Sequence, residues 1–74
     1  MPTILARNIA DEVRAVLVER GMTQQALADL LHERQYWVSR RLTHKVAIAA
    51  DELVRIAAAL DLPVSRFIPE EVAA

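Results

Sequence analysis

The chain has 74 residues, 54% of them hydrophobic and only three aromatic, and it carries a formal net charge of −1. This length fits one domain with a small core, and the absence of cysteine excludes disulfides and thiolate metal sites. The single glycine excludes a glycine-rich phosphate loop, and an apolar content rich in alanine favours packed helices over strands.

The first predicted element is an amphipathic helix over residues 3 to 20. Its core side is expected to hold Leu5, Ile9, Val13 and Val16 or Leu17, and its outer side Arg7, Asp11, Arg14 and Glu19. Gly21 can adopt the left-handed conformation that ends a helix. Thr23 is then a suitable N-cap, because its hydroxyl can accept a hydrogen bond from the amide of Ala26 or Gln25.

Residues 21 to 42 predict two short helices joined by a tight turn. Apolar residues recur at helical spacing in both, with Leu27, Ala28 and Leu31 in the first helix and Val38 and Leu42 in the second. The turn is expected at His32 and Glu33, and histidine adopts the required left-handed conformation at a higher cost than glycine. Gln24 begins the first helix, where its side chain and the backbone amides could hold a phosphate.

The second of these helices is predicted to expose most of the local positive charge. Residues 32 to 45 hold four cations and one anion, a net +3, so the rest of the chain carries −4. Local charge rather than total charge is what phosphates meet. The exposed side chains are of types that hydrogen-bond base edges and phosphates in a DNA major groove: Arg34, Gln35, Tyr36, Ser39, Arg40 and Thr43. The pattern therefore predicts a helix-turn-helix with a DNA-reading face.

Two further elements are predicted after this motif. Apolar residues at helical spacing indicate a helix over about residues 49 to 60, namely Leu53, Ile56, Ala57 and Leu60, with Asp51 and Glu52 in its first turn. Asp61 is expected to close it, and Pro63 to begin the next segment. A last short helix would contain Ser65, Phe67 and Ile68 and end at Pro69. Residues 69 to 74 form a short acidic tail to a single domain of residues 1 to 74.

Three segments, GMTQQALADLL, VSRRL and ELVRIAAALDLP, together resemble the helix-turn-helix domains of the Cro and lambda-repressor type, also called the xenobiotic-response-element family. The resemblance covers about residues 9 to 68, and it is specific because the segments occur in the family's order. It implies an all-α, compact five-helix domain in which helices 2 and 3 form the motif and the third helix enters the major groove. Many such proteins bind operators as homodimers, and most regulate transcription.

The resemblance also implies roles for individual residues. The base-reading positions fall on Gln35, Tyr36, Ser39 and Arg40, with Arg34 and Thr43 at the two ends of the recognition helix. Four residues are expected to contact phosphates: Gln24 and Lys45 from the same resemblance, and Arg41 and His44 as basic residues of the same region. Ala28 stands where the two motif helices approach closely, and Val38 where an apolar residue holds the third helix to the second.

The chain departs from the family at four positions. His32 replaces the usual glycine, Glu33 an apolar residue, Arg34 a common Ser or Thr cap, and Arg41 a common apolar residue. If the third helix is rotated, Trp37 and Leu42 would fill the apolar role and the base-reading set would shift by one. Adjacent Tyr36 and Trp37 cannot share one face. Tyr36 is assigned to the groove and Trp37 to packing, and the reverse assignment stays open.

Catalytic, metal-binding and membrane functions find no support in the sequence. His32 and His44 lie twelve residues apart with no cysteine or acidic cluster beside them, which argues against a metal site. Ser39 lacks the strand-turn-helix elbow and oxyanion loop of a catalytic triad. No segment approaches the roughly 20 apolar residues of a membrane span, and no leader pattern is present. We expect a cytoplasmic protein that is not an enzyme and needs no cofactor or small-molecule ligand.

The leading interpretation is a sequence-specific DNA-binding regulator, most consistent with a Cro-type repressor that occupies an operator. A homodimer, at least on DNA, would bind an inverted repeat with half-site centres roughly 34 Å apart. The alternative is a protein-interaction module, such as an antitoxin or an anti-repressor, favoured by the acidic total charge, by Glu33 and by two apolar residues expected to be exposed, Leu30 and Phe67. Leu30, Phe67, Ile68 and Val72 fit either core closure or a subunit interface.

Overall fold

The computed structural model describes the backbone of residues 4 to 68 and the side chains of residues 9 to 68. That part of the chain forms four α-helices and one turn of 3₁₀ helix, with no strand. The elements are α1 (Ile4–Arg20), α2 (Gln24–Leu31), α3 (Gln35–Leu42), α4 (Ala50–Ala59) and the 3₁₀ helix (Val64–Phe67). The predictions for Leu5, Arg7, Val72 and the acidic tail lie outside the described side chains.

The all-helical fold class is as predicted, whereas a fifth α-helix is not found in the described range. The predicted last helix is the four-residue 3₁₀ helix Val64–Phe67, and Ile68 after it has extended backbone angles of φ −99° and ψ 126°. Only five residues separate Pro63 from Pro69, and the residue before a proline is pushed out of the helical region. An α-helix therefore has no room to form there. No helix in residues 4 to 68 is long and apolar enough to cross a membrane.

A single hydrophobic core joins all five elements. Its largest fully buried side chains are Phe67, Leu27, Leu42, Ile56, Leu60, Val13, Val16 and Val38. The predicted core residues of α1 are found there, with both Val16 and Leu17 buried, while Ile9 is only partly buried. Of the two alternatives left open for Phe67, core closure is found, and the expectation of an exposed apolar residue is wrong because the 3₁₀ helix directs the ring into the core. Leu30 is exposed as expected, at 52%.

Each α-helix ends in a residue with left-handed backbone. These residues are Gly21, His32, His44 and Asp61, with φ values between 57° and 66°. In each case the next amide donates to a carbonyl five residues back, as from Glu33 to Ala28 at 2.9 Å. This is the Schellman arrangement, which satisfies carbonyls that the helix leaves unpaired. The predicted turn at His32 is confirmed, as is the Thr23 cap, whose hydroxyl accepts from the Ala26 amide at 3.0 Å.

Arginine side chains from other helices complete three of these helix ends. Arg55 of α4 donates to the carbonyl of Leu31 at the end of α2, at 2.9 Å. In the same way Arg14 donates to the Leu42 carbonyl at the end of α3, and Arg20 to the Leu60 carbonyl after α4. A cation at a helix C-terminus is favoured by the helix dipole and by the unpaired carbonyls. These bonds fix the ends of α2 and α3 against α4 and α1.

The left-handed residues predict a stability change with a definite sign. His32→Gly is expected to raise the free energy of unfolding by about 1 kcal/mol, because glycine adopts the left-handed conformation without the clash of a Cβ. The His32 side chain is exposed and has no hydrogen bond within residues 9 to 68, so its loss removes no hydrogen bond there. Urea denaturation followed by circular dichroism measures the difference.

The matched controls are His32→Ala and Gly21→Ala. His32→Ala keeps a Cβ at the left-handed position and should bring no gain. Gly21→Ala should lower stability by about 1 kcal/mol through backbone strain alone, since no atom lies within 4 Å of the added Cβ. Equal stability of His32→Gly and His32→Ala would contradict the strain argument.

Candidate nucleic-acid interface

The pose of α3 is set by the burial of its inner side. Val38 and Leu42 are each about 1% exposed and lie one turn apart, facing the core. Ala28 of α2 is fully buried. The chain therefore uses Val38 and Leu42 as the apolar anchors of α3, and the opposite side of the helix faces solvent.

Three exposed side chains, Gln35, Tyr36 and Arg40, form what we call the outer face of α3. Tyr36 is 69% exposed, whereas Trp37 is partly buried and packs against the core. The assignment of Tyr36 outward and Trp37 inward is thus confirmed as a matter of packing. The Arg40 guanidinium carbon lies 5.4 Å from the centroid of the Tyr36 ring, so the two side chains extend side by side.

Residues beside the outer face vary in their availability. Arg34, the N-cap of α3, is exposed and makes no side-chain cap, as its replacement of Ser or Thr predicts. Ser39 is partly buried, and the Thr43 hydroxyl donates to the Ser39 carbonyl at 2.7 Å. Gln24 is the first residue of α2, and its side chain is partly buried. The Arg34 side chain is therefore exposed and has no hydrogen bond within residues 9 to 68, whereas Ser39 and Gln24 are partly buried.

Arg41 is engaged inside the fold. Its Nε and Nη2 donate to the two carboxylate oxygens of Glu52 in α4, at 3.0 and 2.9 Å, and its Nη1 donates to the Trp37 carbonyl at 3.1 Å. The guanidinium carbon lies 3.8 Å from the centroid of the Trp37 ring. With the side chain only 14% exposed, the predicted phosphate contact from Arg41 does not fit this geometry, because its donors are already used and held inward.

His44 is also directed back toward the protein. A ring nitrogen, Nε2, lies 3.2 Å from Oδ1 of Asp11 in α1, and the side chain is 22% exposed. The predicted phosphate contact from His44 would require this ring to leave Asp11.

In residues 9 to 68 no group of three or more metal-ligating side chains comes together.

The remaining cations separate by location. Within residues 9 to 68, Arg14, Arg20, Arg41, Arg55 and Arg66 all have hydrogen bonds or ion pairs inside the chain. In the same part of the chain, Arg34, Arg40 and Lys45 have none. All three are exposed and lie at the start of α3, on its outer face and just after its end. The cations available to a partner are thus concentrated along α3.

A groove of about 480 Å³ borders the outer face of α3. It is lined by Glu33, Arg34, Tyr36, Trp37, Arg40, Arg41 and Val46. Glu33 is the acidic residue within the basic segment 32 to 45. It is partly buried, and its carboxylate lies 3.2 Å from Arg55. That ion pair offsets the negative charge of Glu33.

The comparisons with known proteins concern the fold. No protein-family model matches this chain, and no curated protein matches it. Among solved structures, the chain is similar to the clp gene regulator ClgR from C. glutamicum, with a TM-score of 0.78, 17% identity, and coverage of 85% of this chain and 82% of that one. It is also similar to the hypothetical transcription factor NHTF from Neisseria, with a TM-score of 0.80, 24% identity, and coverage of 93% and 80%. The chain shares the fold of both.

Glu52 is the member of this region that sequence reasoning did not assign to it. It is placed in the first turn of α4 as predicted, and its Oε1 also accepts from the Ala49 amide at 2.9 Å, which is half of a capping box. The spacing of a glutamate three residues after a helix start was a readable signal for this cap. The bond to Arg41, eleven residues away across a loop, had no such signal.

The environment of Glu52 predicts how stability changes in acid. Its pKa is lowered from 4.5, mainly because the Arg41 hydrogen bonds stabilise the carboxylate; partial burial opposes the shift and the Ala49 amide adds to it. A carboxylate with a lowered folded-state pKa stabilises the fold fully above its unfolded-state pKa, and that contribution is lost as pH falls through the folded-state value. Wild-type stability should therefore fall with pH below about 4.5, and less steeply in Glu52→Gln.

Thermal unfolding followed by circular dichroism between neutral pH and about pH 3 tests this expectation. The matched control is Asp51→Asn. Asp51 lies in the same helical turn as Glu52, and its carboxylate has no hydrogen bond within residues 9 to 68. The control should keep the wild-type dependence. Identical acid profiles for Glu52→Gln and wild type would show that the Arg41 interaction contributes nothing measurable.

Proposed function

We propose that this chain is a sequence-specific DNA-binding transcriptional regulator, and more narrowly a Cro-type repressor that occupies an operator with α3 in the major groove. The observation that carries the proposal is the sorting of cations: five arginines are used inside the fold, while Arg34, Arg40 and Lys45 stay available along α3. Duplex DNA is a polyanion, and its major groove is wide enough to admit an α-helix. It therefore suits a surface on which the available cations follow one helix.

The printed descriptions of the two solved structures support the same class. One names a gene regulator and the other a hypothetical transcription factor. The likeness carries the fold to this chain, and the regulatory role is part of the proposal. The shared fold and the exposed charge both support the proposal that α3 is the helix presented to a duplex.

The proposed division of labour follows the geometry of α3. Discrimination between bases comes from Gln35, Tyr36 and Arg40, since a glutamine amide pairs with adenine and a guanidinium with guanine in two-bond contacts. The rest of the base-facing set is Arg34, Ser39 and Thr43 at the flanks. Gln24, at the start of α2, and Lys45 supply phosphate contacts that position the domain.

A homodimer on DNA is part of the proposal. Two copies related by a two-fold axis would present their α3 helices to successive major grooves, with half-site centres roughly 34 Å apart. Selection of bound sequences from a random duplex pool gives both the half-site and its spacing. Failure of the chain to enrich any sequence, or to bind duplex DNA at low salt, would overturn the proposal.

Alanine substitutions of Arg40 and of Lys45 are expected to weaken DNA binding in different ways. Arg40→Ala should cost about 1 to 3 kcal/mol on the preferred duplex and relax the preference at one base pair, because it loses a bidentate base contact. Lys45→Ala should weaken binding to all duplexes alike and reduce the slope of log K against log salt by about 1. Fluorescence anisotropy on the preferred and a scrambled duplex, repeated over a salt series, separates the two effects.

Arg66→Ala is the control for this experiment. Arg66 pairs with Glu12 at 2.8 Å and belongs to the 3₁₀ helix, which packs on α1 and α4, so its removal changes the total charge without removing a residue of the proposed interface. It should leave both discrimination and salt slope close to wild type. Equal, sequence-independent losses for Arg40→Ala and Lys45→Ala would reject the division into base and phosphate contacts.

A further inference from the structure

The Arg41–Glu52 pair is the most directional contact between α3 and the rest of the domain. Three guanidinium nitrogens donate to three acceptors: two go to Glu52, and the third goes to the Trp37 carbonyl. Glu52 is itself held, because its Oε1 also accepts from the Ala49 amide at the start of α4. The pair therefore ties the second half of α3 to the beginning of α4 across the loop between them.

The surroundings fix the direction of this pair more firmly than that of an ordinary surface ion pair. The side chains are only 14% and 18% exposed, so solvent screens their attraction less than at an open surface. Two parallel N–H···O bonds to a carboxylate give a fixed geometry that a single contact lacks. Stacking of the guanidinium on the Trp37 ring at 3.8 Å fixes the remaining direction.

Other anchors of α3 do not determine its rotation about its own axis as sharply. Val38 and Leu42 bury apolar surface, which is a non-directional interaction that tolerates small turns of the helix. The bond from Arg14 holds the Leu42 carbonyl at one end. The planar fork of Arg41 acts on the side of the helix next to Arg40, so a small rotation there would displace the outer face directly.

We propose that Arg41 and Glu52 are positioning residues that set the rotation of α3, and with it base discrimination, without contacting DNA themselves. This inference rests on the proposed DNA-binding function. It also gives Arg41 a different role from a phosphate contact. A phosphate contact depends on positive charge, which lysine supplies, whereas a positioning fork depends on the planar guanidinium, which lysine lacks.

Arg41→Lys distinguishes the two roles. As a positioning residue, its replacement should lower the ratio of affinities for the preferred and scrambled duplexes by about tenfold, the order expected for losing alignment of one two-bond base contact. The salt slope should stay at the wild-type value, because no phosphate contact is lost. A retained ratio would overturn the proposal, because lysine keeps the positive charge that a phosphate contact needs and loses only the planar fork. Arg66→Lys is the matched control, an arginine-to-lysine change at an ion pair between the 3₁₀ helix and α1.

Glu52→Gln tests the partner, which is an acidic residue and would not be expected to bind DNA. The glutamine keeps an acceptor for the Ala49 amide and removes the charge that holds Arg41. Discrimination should fall about as much as in Arg41→Lys, and the double variant should lose little more, since both changes break one interaction. Additive losses would overturn the inference. Asp51→Asn is the control, since it removes the same charge from the same helical turn.

The fluorescence of Trp37 reports on the Arg41–Glu52 pair in the absence of DNA. It is the only tryptophan in the chain, and the Arg41 guanidinium stacks on it. Its emission should change in Arg41→Lys and in Glu52→Gln, and should stay constant in both controls. All binding is measured at a temperature at which circular dichroism shows that each variant is folded. If one variant unfolds, the binding measured with the other variant tests the positioning role.

The outcomes separate the inference from the function on which it rests. A wild-type chain without sequence preference would defeat the proposed function. A wild-type chain that discriminates, together with folded variants that discriminate equally well, would defeat the positioning role alone.

Discussion

The shortness of α2 and α3 is the constraint on which the rest of the structure depends. Each has eight residues, fewer than the roughly 12 to 15 at which an isolated helix becomes marginally stable in water. Neither helix can hold its shape or direction alone, so contacts from α1 and α4 must supply both. Burial of Val38 and Leu42 holds α3 to the hydrophobic core. Hydrogen bonds from Arg14 and Arg55 fix the ends of α3 and α2, and those from Arg41 fix the rotation of α3.

Arginine serves two separate purposes in this small domain. In α1, in α4 and on the inner side of α3 its donors satisfy helix carbonyls or a carboxylate, which compensates for a core limited by the length of the chain. Along the outer side of α3 the same residue type stays solvated. A formal charge near zero therefore coexists with a local excess of cations that have no ion pair within residues 9 to 68, and the total charge does not describe the surface of α3.

Local signals in the sequence account for most of the fold. Gly21, Thr23 and Asp61 lie where helix-ending and capping chemistry places them, and helical spacing of apolar residues identified the buried faces. The left-handed conformation of His44 was missed, because its basic side chain was assigned to a phosphate contact and not to a helix end. The inward direction of Arg41 was missed as well, because it depends on a carboxylate that only the folded chain brings near. Directions of long side chains are decided by such distant partners, whereas helix boundaries are decided by neighbours.

The separation of α3 into an inner and an outer set of side chains has an evolutionary consequence. Trp37, Val38, Arg41 and Leu42 carry the mechanical attachment of the helix, while Gln35, Tyr36 and Arg40 touch little of the scaffold. Mutations in the second set are therefore nearly neutral for folding. A duplicated copy of such a domain could drift to a new target one exposed residue at a time, without passing through an unstable intermediate.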